Sequence, residues 1–220
     1  MNPLGLIVGS ALIGHEPGGA DGVVPVQRHG GDRYHPPHLI DHAANLRTLT
    51  DAGCDRVLAI ASVGSLRPEL GVGALLCPDD FIALHLGGSG FDDERGHRVS
   101  GFDTPWRRRV IEAWKRSGSE RLADGGVYWE AIGPRFETLA EVRLIAAHAD
   151  VVGMTVASEC VVATEIGIPY AAVCIVDNLA NGVAGEGLST AAYEAGREAN
   201  RDLLSRRLPA LIEALEGVSA

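Results

Sequence analysis

The chain has 220 residues, 46% hydrophobic and 22% charged, which suits one domain with a full core. A formal net charge of −10 argues against a general nucleic-acid or anionic-membrane surface, while a local anion site built from a few oriented donors stays open. Cysteines 54, 77, 160 and 174 show no CxxC spacing and read as buried free thiols. The start MNPLGLIVGSAL has neither a positive n-region nor a membrane-length apolar run, so a cytoplasmic location is expected.

Apolar runs alternate with segments of helical period. LGLIVGSAL (4–12) reads as a buried strand and VVPVQRHG (23–30) as a second, ending in charge. Residues 38–52 place Leu39, Ala43, Leu46 and Leu49 on one stripe of a helix that Gly53 stops. DRVLAIASVGSL (55–66) and GALLCPDDFIAL (73–84) follow as strands, and the Gly- and Asp-rich residues 87–103 as a long loop. Thr104 and Pro105 supply an N-cap and N1 proline for a helix to residue 117. VYWEAIGPRF (127–136) is the next strand, stopped by Gly133-Pro134. Thr138 and Glu141 have capping-box spacing, which puts Glu137 just ahead of the first helical turn. A strand at VVGMTVA (151–157), a helix at SECVVATEIGI, a strand at YAAVCIVDNLANG (170–182) and a long helix over 189–216 complete the chain.

Strand runs without polar alternation, separated by helices, predict an α/β fold. Its mostly parallel central sheet would be flanked by helices within a single domain over residues 1–220. Ligands in such sheets sit beyond the carboxyl ends of the strands. GSAL, RHGG, SVGS, RFET, MTVASE and DNLANG all fall at or beyond strand ends, which predicts one composite site. GSA (9–11) and SVGS (62–65) can present backbone N–H groups and a hydroxyl to an anion. Arg28 and His29 add a guanidinium, matched to phosphate oxygens, and an imidazole. Taken together, these three strand ends suggest a phosphate pocket.

IVGSAL, RHGGDRYHPPH, ASVGSL, GPRFET, GMTVASE and the Asp-Asn strand tip occur in this order from residue 6 to about 185. In that set the chain resembles the trimeric purine nucleoside phosphorylase and methylthioadenosine (methylthioinosine) phosphorylase family. The resemblance implies that Ser10, Arg28, His29 and Ser62, with backbone at Ala61, bind phosphate. Met154 would lie under the ribose, with Thr155 near its hydroxyls or the phosphate. Phe136 would stack on the purine, Glu137 and Asp177 would read the base edge, and Asn178 would lie beside them. The implied reaction is phosphorolysis, with Asp177, neighboured by Asn178, relieving charge on the departing base at N7. Inorganic phosphate would be the co-substrate, with no metal or organic cofactor, in a homotrimer binding neither nucleic acid nor membrane.

The pattern also departs from that family. Ile132 stands where relatives often carry glutamate, Arg33 where a second histidine is frequent, and Ala43 where arginine or glutamine is common. Base-reading signals conflict, because Glu137 resembles the 6-oxopurine branch and Asp177 the 6-amino branch. GMTVASE and DNLANG lean towards a methylthioadenosine or methylthioinosine substrate. Three other readings stand beside this one: a metal site at His35, His38 and His42, a purine nucleosidase, and a nucleoside-binding protein without turnover. A dinucleotide-binding dehydrogenase is disfavoured, since GSALIG lacks GxGxxG spacing.

Overall fold

A computed structural model describes residues 2–12, 22–85, 89–185 and 187–216. Its spine is one sheet. β1 (Leu4–Val8) lies parallel between β2 (Val23–Gln27) and β3 (Arg56–Ser65). β3 in turn runs parallel to β9 (Tyr170–Leu179). Two arms leave this centre. β4 (Leu75–Cys77) pairs antiparallel with β9 and parallel with β6 (Leu122–Asp124). β8 (Val151–Gly153) pairs antiparallel with the end of β3, then parallel with β7 (Val127–Glu130), which carries β5 (Asp80–Ile82) parallel at its edge. The sheet is therefore mixed and mostly parallel, as the unalternated apolar runs require.

Successive side chains of β1, β3 and β9 enter two different cores. On one face Leu6, Leu58, Ile60, Val173 and Ile175 meet Trp106, Val110 and Trp114 of α2 (Thr104–Ser117) and Leu204, Leu208 and Leu211 of α5 (Thr190–Glu216). On the other, Ile7, Val57, Ala59, Ala172 and Cys174 meet Leu46 and Leu49 of α1 (His42–Asp51) and Val156, Cys160 and Ala163 of α4 (Val156–Ile166). A smaller core places Val142 and Ile145 of α3 (Leu139–Ile145) against Leu66 and Val152. All four cysteines are buried free thiols.

Several boundaries differ from the sequence reading. The run 73–84 is two strands, not one: Pro78 lacks an N–H and separates β4 from β5, which pair with different partners. β6 was not expected. The first helix starts at His42, capped by Asp41, whose side chain accepts from Ala44 N at 2.8 Å. Leu39 therefore sits in a preceding 3₁₀ turn and is 61% exposed, off the expected apolar stripe. Asp103 caps α2, one residue ahead of the expected Thr104. β1 stops at Val8, β7 at Glu130 and β8 at Gly153, well short of the expected ends. The Thr138–Glu141 capping box forms as expected.

Candidate active site

One cavity of about 260 Å³ opens beyond the strand ends. Ser10, Arg28, His29, Ser62, Phe136, Glu137, Met154, Thr155, Asp177 and Asn178 all line it, although they come from six separate segments. Ala61 alone of the expected site residues is not on its wall; it is buried in β3, one residue beyond the last β1 pairing at Ile60.

One group of these residues can hold an anion. The Ser10 hydroxyl donates to that of Ser62 at 3.1 Å, which couples the turn after β1 to β3. Arg28 is 2% exposed and anchored at three points. Its Nε and Nη2 donate to Glu159 Oε1 and Oε2 at 2.5 and 3.0 Å, and Nη1 donates to Ile60 O at 2.9 Å. The Tyr170 hydroxyl adds a 2.6 Å donation to Glu159 Oε2. Burial alone would push the Glu159 carboxyl up, but the Arg28 charge and donated hydrogen bonds outweigh it and hold its pKa at about 2. Two of the five guanidinium N–H groups stay uncommitted to these contacts.

His29 Nδ1 lies 2.9 Å from the His35 carbonyl, which can only accept, so that nitrogen carries the hydrogen. Burial lowers the His29 pKa against the pull of that bond, which favours a neutral ring. Thr155 occupies the N-cap of α4 without capping it, which leaves its hydroxyl free for the cavity. Tyr128 and Glu130 do the capping: the Tyr128 hydroxyl accepts from Thr155 N at 3.2 Å, and Glu130 Oε2 accepts from Ala157 N at 2.7 Å.

The other group, an aromatic ring and two carboxylates, lines the same cavity. The Phe136 ring is 41% exposed and meets Tyr193 of α5 edge to face at 5.2 Å. Two carboxylates reach the same cavity, and each keeps one buried oxygen without a hydrogen-bond partner among the described residues: Glu137 Oε1 and Asp177 Oδ2. Burial raises the pKa of both carboxyls. Such orphaned acceptors are costly unless a ligand meets them. Asp177 owes its position to a slip in the sheet. Val63 pairs with Val176 and Gly64 with Asn178, so Asp177 is the extra residue of a β-bulge. The Asn178 amide turns away and donates to Leu179 O at 2.9 Å.

A family model described as "Phosphorylase superfamily" matches residues 15–214. The chain belongs to the phosphorylase superfamily. It is 41% identical over 161 residues to a "Probable 6-oxopurine nucleoside phosphorylase" of Archaeoglobus fulgidus, covering 73% of this chain and 66% of that protein. It is 37% identical over 221 residues to a "Probable S-methyl-5'-thioinosine phosphorylase" of Xanthomonas campestris, covering 97% of this chain and 84% of that protein. Among solved structures, the methylthioadenosine phosphorylase of Schistosoma mansoni in complex with adenine shares the fold. Its TM-score is 0.81 at 21% identity, over 100% of this chain and 93% of that one.

In this member of the superfamily, four residues that shape the site were not singled out from sequence. Glu159 and Glu130 are acids at the end of GMTVASE and of the strand run VYWE, where an ionisable group in apolar surroundings signals a buried partner. Tyr193 and Asn200 come from α5, whose sequence offers only a helical period. Among the described residues no group of three or more His, Cys, Asp or Glu side chains is placed to hold a metal. The His35 carbonyl instead accepts from His29, and His42 Nδ1 lies 3.8 Å from Glu159. Among the described residues no helix is long and apolar enough to cross a membrane.

Proposed function

We propose that the chain is a purine nucleoside phosphorylase-type pentosyltransferase, releasing free base and a ribose 1-phosphate derivative. The observation that carries this reading is a single cavity with fixed anion donors beside an aromatic ring and two unpartnered carboxylate oxygens. A phosphate oxygen, held by Arg28, His29, Ser10, Ser62 and Thr155, forms a bond to the anomeric carbon. The bond from that carbon to the base nitrogen breaks, and its electron pair leaves with the purine. The oxocarbenium-like sugar is stabilised by the adjacent phosphate charge. Asp177, whose pKa burial raises, shares or gives a proton to N7 as electrons arrive there. Phe136 supplies the stacking face, Glu137 an acceptor for an edge N–H, and Met154 an apolar floor for the sugar. Phosphate is the co-substrate, and neither metal nor organic cofactor is called for.

A 5′-methylthio purine ribonucleoside is the preferred substrate in this reading, which the relatives named for methylthioinosine and methylthioadenosine support. The protein would act in purine salvage in the cytoplasm as a homotrimer. Exposed Ile132, at 56%, is the kind of large apolar side chain that association would cover. Base release from adenosine, inosine, guanosine and their 5′-methylthio analogues, with and without phosphate, tests the reading. Release that requires phosphate supports it; equal release without phosphate makes the protein a nucleosidase. Thermal stabilisation by nucleoside without turnover makes it a binding protein.

A further inference from the structure

Asp177 does not reach the cavity unaided. Asn200, on α5 and 3% exposed, directs its Nδ2 donors at two neighbouring acceptors, Asp177 Oδ1 at 2.7 Å and Val176 O at 2.9 Å. Those acceptors belong to the bulged residue and to the residue just before it. The helix comes this close because residue 196 is glycine. A Cβ at Gly196 would overlap the Asp177 carbonyl oxygen outright, so the backbone of α5 lies against the bulge itself. The amide of Asn200 thus clasps one oxygen of the carboxyl and leaves Oδ2, buried and unpartnered, as the oxygen available to a ligand.

We propose that Asn200 is a positioning residue for the reaction, acting through Asp177. In a neutral carboxyl, the oxygen that accepts from an amide N–H at 2.7 Å is the carbonyl-type one. A proton carried by Asp177 therefore sits on Oδ2, the oxygen without a partner among the described residues. Without Asn200 the carboxyl can rotate, exchange its two oxygens and bond to its own surroundings. The groups facing Asp177 do not substitute for this clasp. Burial raises the Asp177 pKa, while the hydrogen bond from Asn200, then the Ser62 hydroxyl on β3 and the charge of Arg197 on α5, pull the other way; Glu137, His29 and Arg28 also line the cavity. The inference rests on the base-contacting role proposed for Asp177, and its scope is the orientation of that side chain.

A double-mutant cycle tests it. Asn200→Leu removes both donors at similar volume and is expected to lower kcat/KM for inosine or adenosine about 10- to 100-fold, with the KM for phosphate unchanged. In an Asp177→Ala background the same substitution is expected to change kcat/KM less than about 3-fold, since no carboxyl remains to be held. A 7-methylated purine nucleoside, whose base leaves without proton donation at N7, should show little effect of Asn200→Leu in either background. Equal losses with and without the Asp177 side chain, or equal losses on both nucleosides, overturn the proposal and leave Asn200 a purely structural residue. If Asn200→Leu does not fold, Asn200→Ser, which keeps one O–H donor, goes through the same cycle. Should the unmodified protein release no base, phosphorolysis itself has failed; the cycle is then read in the Kd for hypoxanthine and adenine by calorimetry. There, loss of coupling between residues 200 and 177 still overturns the positioning role.

Discussion

Arg28 and Glu159 form a two-point ion pair sealed from solvent, with side chains 2% and 0% exposed and contacts of 2.5 and 3.0 Å. The pair joins the end of β2 to α4, and through Arg28 Nη1 it also grips the carbonyl of Ile60 on β3. Removing one partner leaves a buried charge uncompensated. Glu159→Gln is therefore expected to cost about 3–5 kcal/mol, seen as a large drop in Tm. Glu141→Gln, which breaks the exposed pair with Arg135, should barely move it.

The same pair sets an acid limit. The Glu159 pKa falls from 4.5 to about 2 in the folded chain, because the Arg28 charge and hydrogen bonds overcome the upward push of burial. A depressed carboxylate contributes stability that is fully present above its unfolded pKa and is lost as pH falls through its folded one. Denaturation followed between pH 5 and 2 should show this loss in the unmodified protein. In Glu159→Gln the slope over that window should be shallower.

Gly9 shapes the anion end of the cavity. A Cβ there would overlap Arg28 Nη1 and lie 3.1 Å from Ile60 O. Gly9→Ala is expected to push the guanidinium aside and raise the KM for phosphate about 10-fold or more, with a smaller effect on nucleoside KM. Steady-state kinetics with each substrate varied separately check this. An unchanged phosphate KM would detach Arg28 from anion binding.

Asp177→Asn replaces an acid by an amide in the bulge beside the base. With Oδ1 held by Asn200, the amide NH2 takes the Oδ2 side; it donates to the carbonyl of a 6-oxopurine as the carboxyl O–H does, whereas against a 6-amino group it meets another donor where the hydroxyl oxygen could accept. The ratio of kcat/KM for inosine over adenosine should rise about 10-fold or more, a change typical of losing one hydrogen bond and leaving a donor unpaired. Equal effects on both nucleosides would remove Asp177 from base recognition.

Phe136→Ala deletes the stacking face and its edge contact with Tyr193. A loss of about 1–3 kcal/mol in base affinity is expected, measured as Kd for adenine or hypoxanthine. Because the ring is 41% exposed, Tm should change little.

The sheet class, the strand ends and most of the cavity wall were legible because unbroken apolar runs and small-residue turns carry their own signal. Phe136 and Glu137 could be placed ahead of α3 because Thr138 and Glu141 announce the helix start. What escaped was tertiary. The bulge at Asp177 is a register slip between strands distant in sequence, and no local pattern marks it. Asn200 lies in the middle of a 27-residue helix and becomes informative only once Gly196 brings that helix onto the bulge. Glu159 was visible as a letter of GMTVASE, but its pairing with Arg28 spans 131 positions of sequence.

In the proposed reaction phosphate, and not water, receives the sugar. Phosphorus NMR of a reaction containing enzyme, inorganic phosphate and 5′-methylthioinosine or inosine tests this most directly. A sugar 1-phosphate resonance is expected to grow in step with free base as inorganic phosphate declines. Free base accumulating while the inorganic phosphate signal stays constant would contradict it.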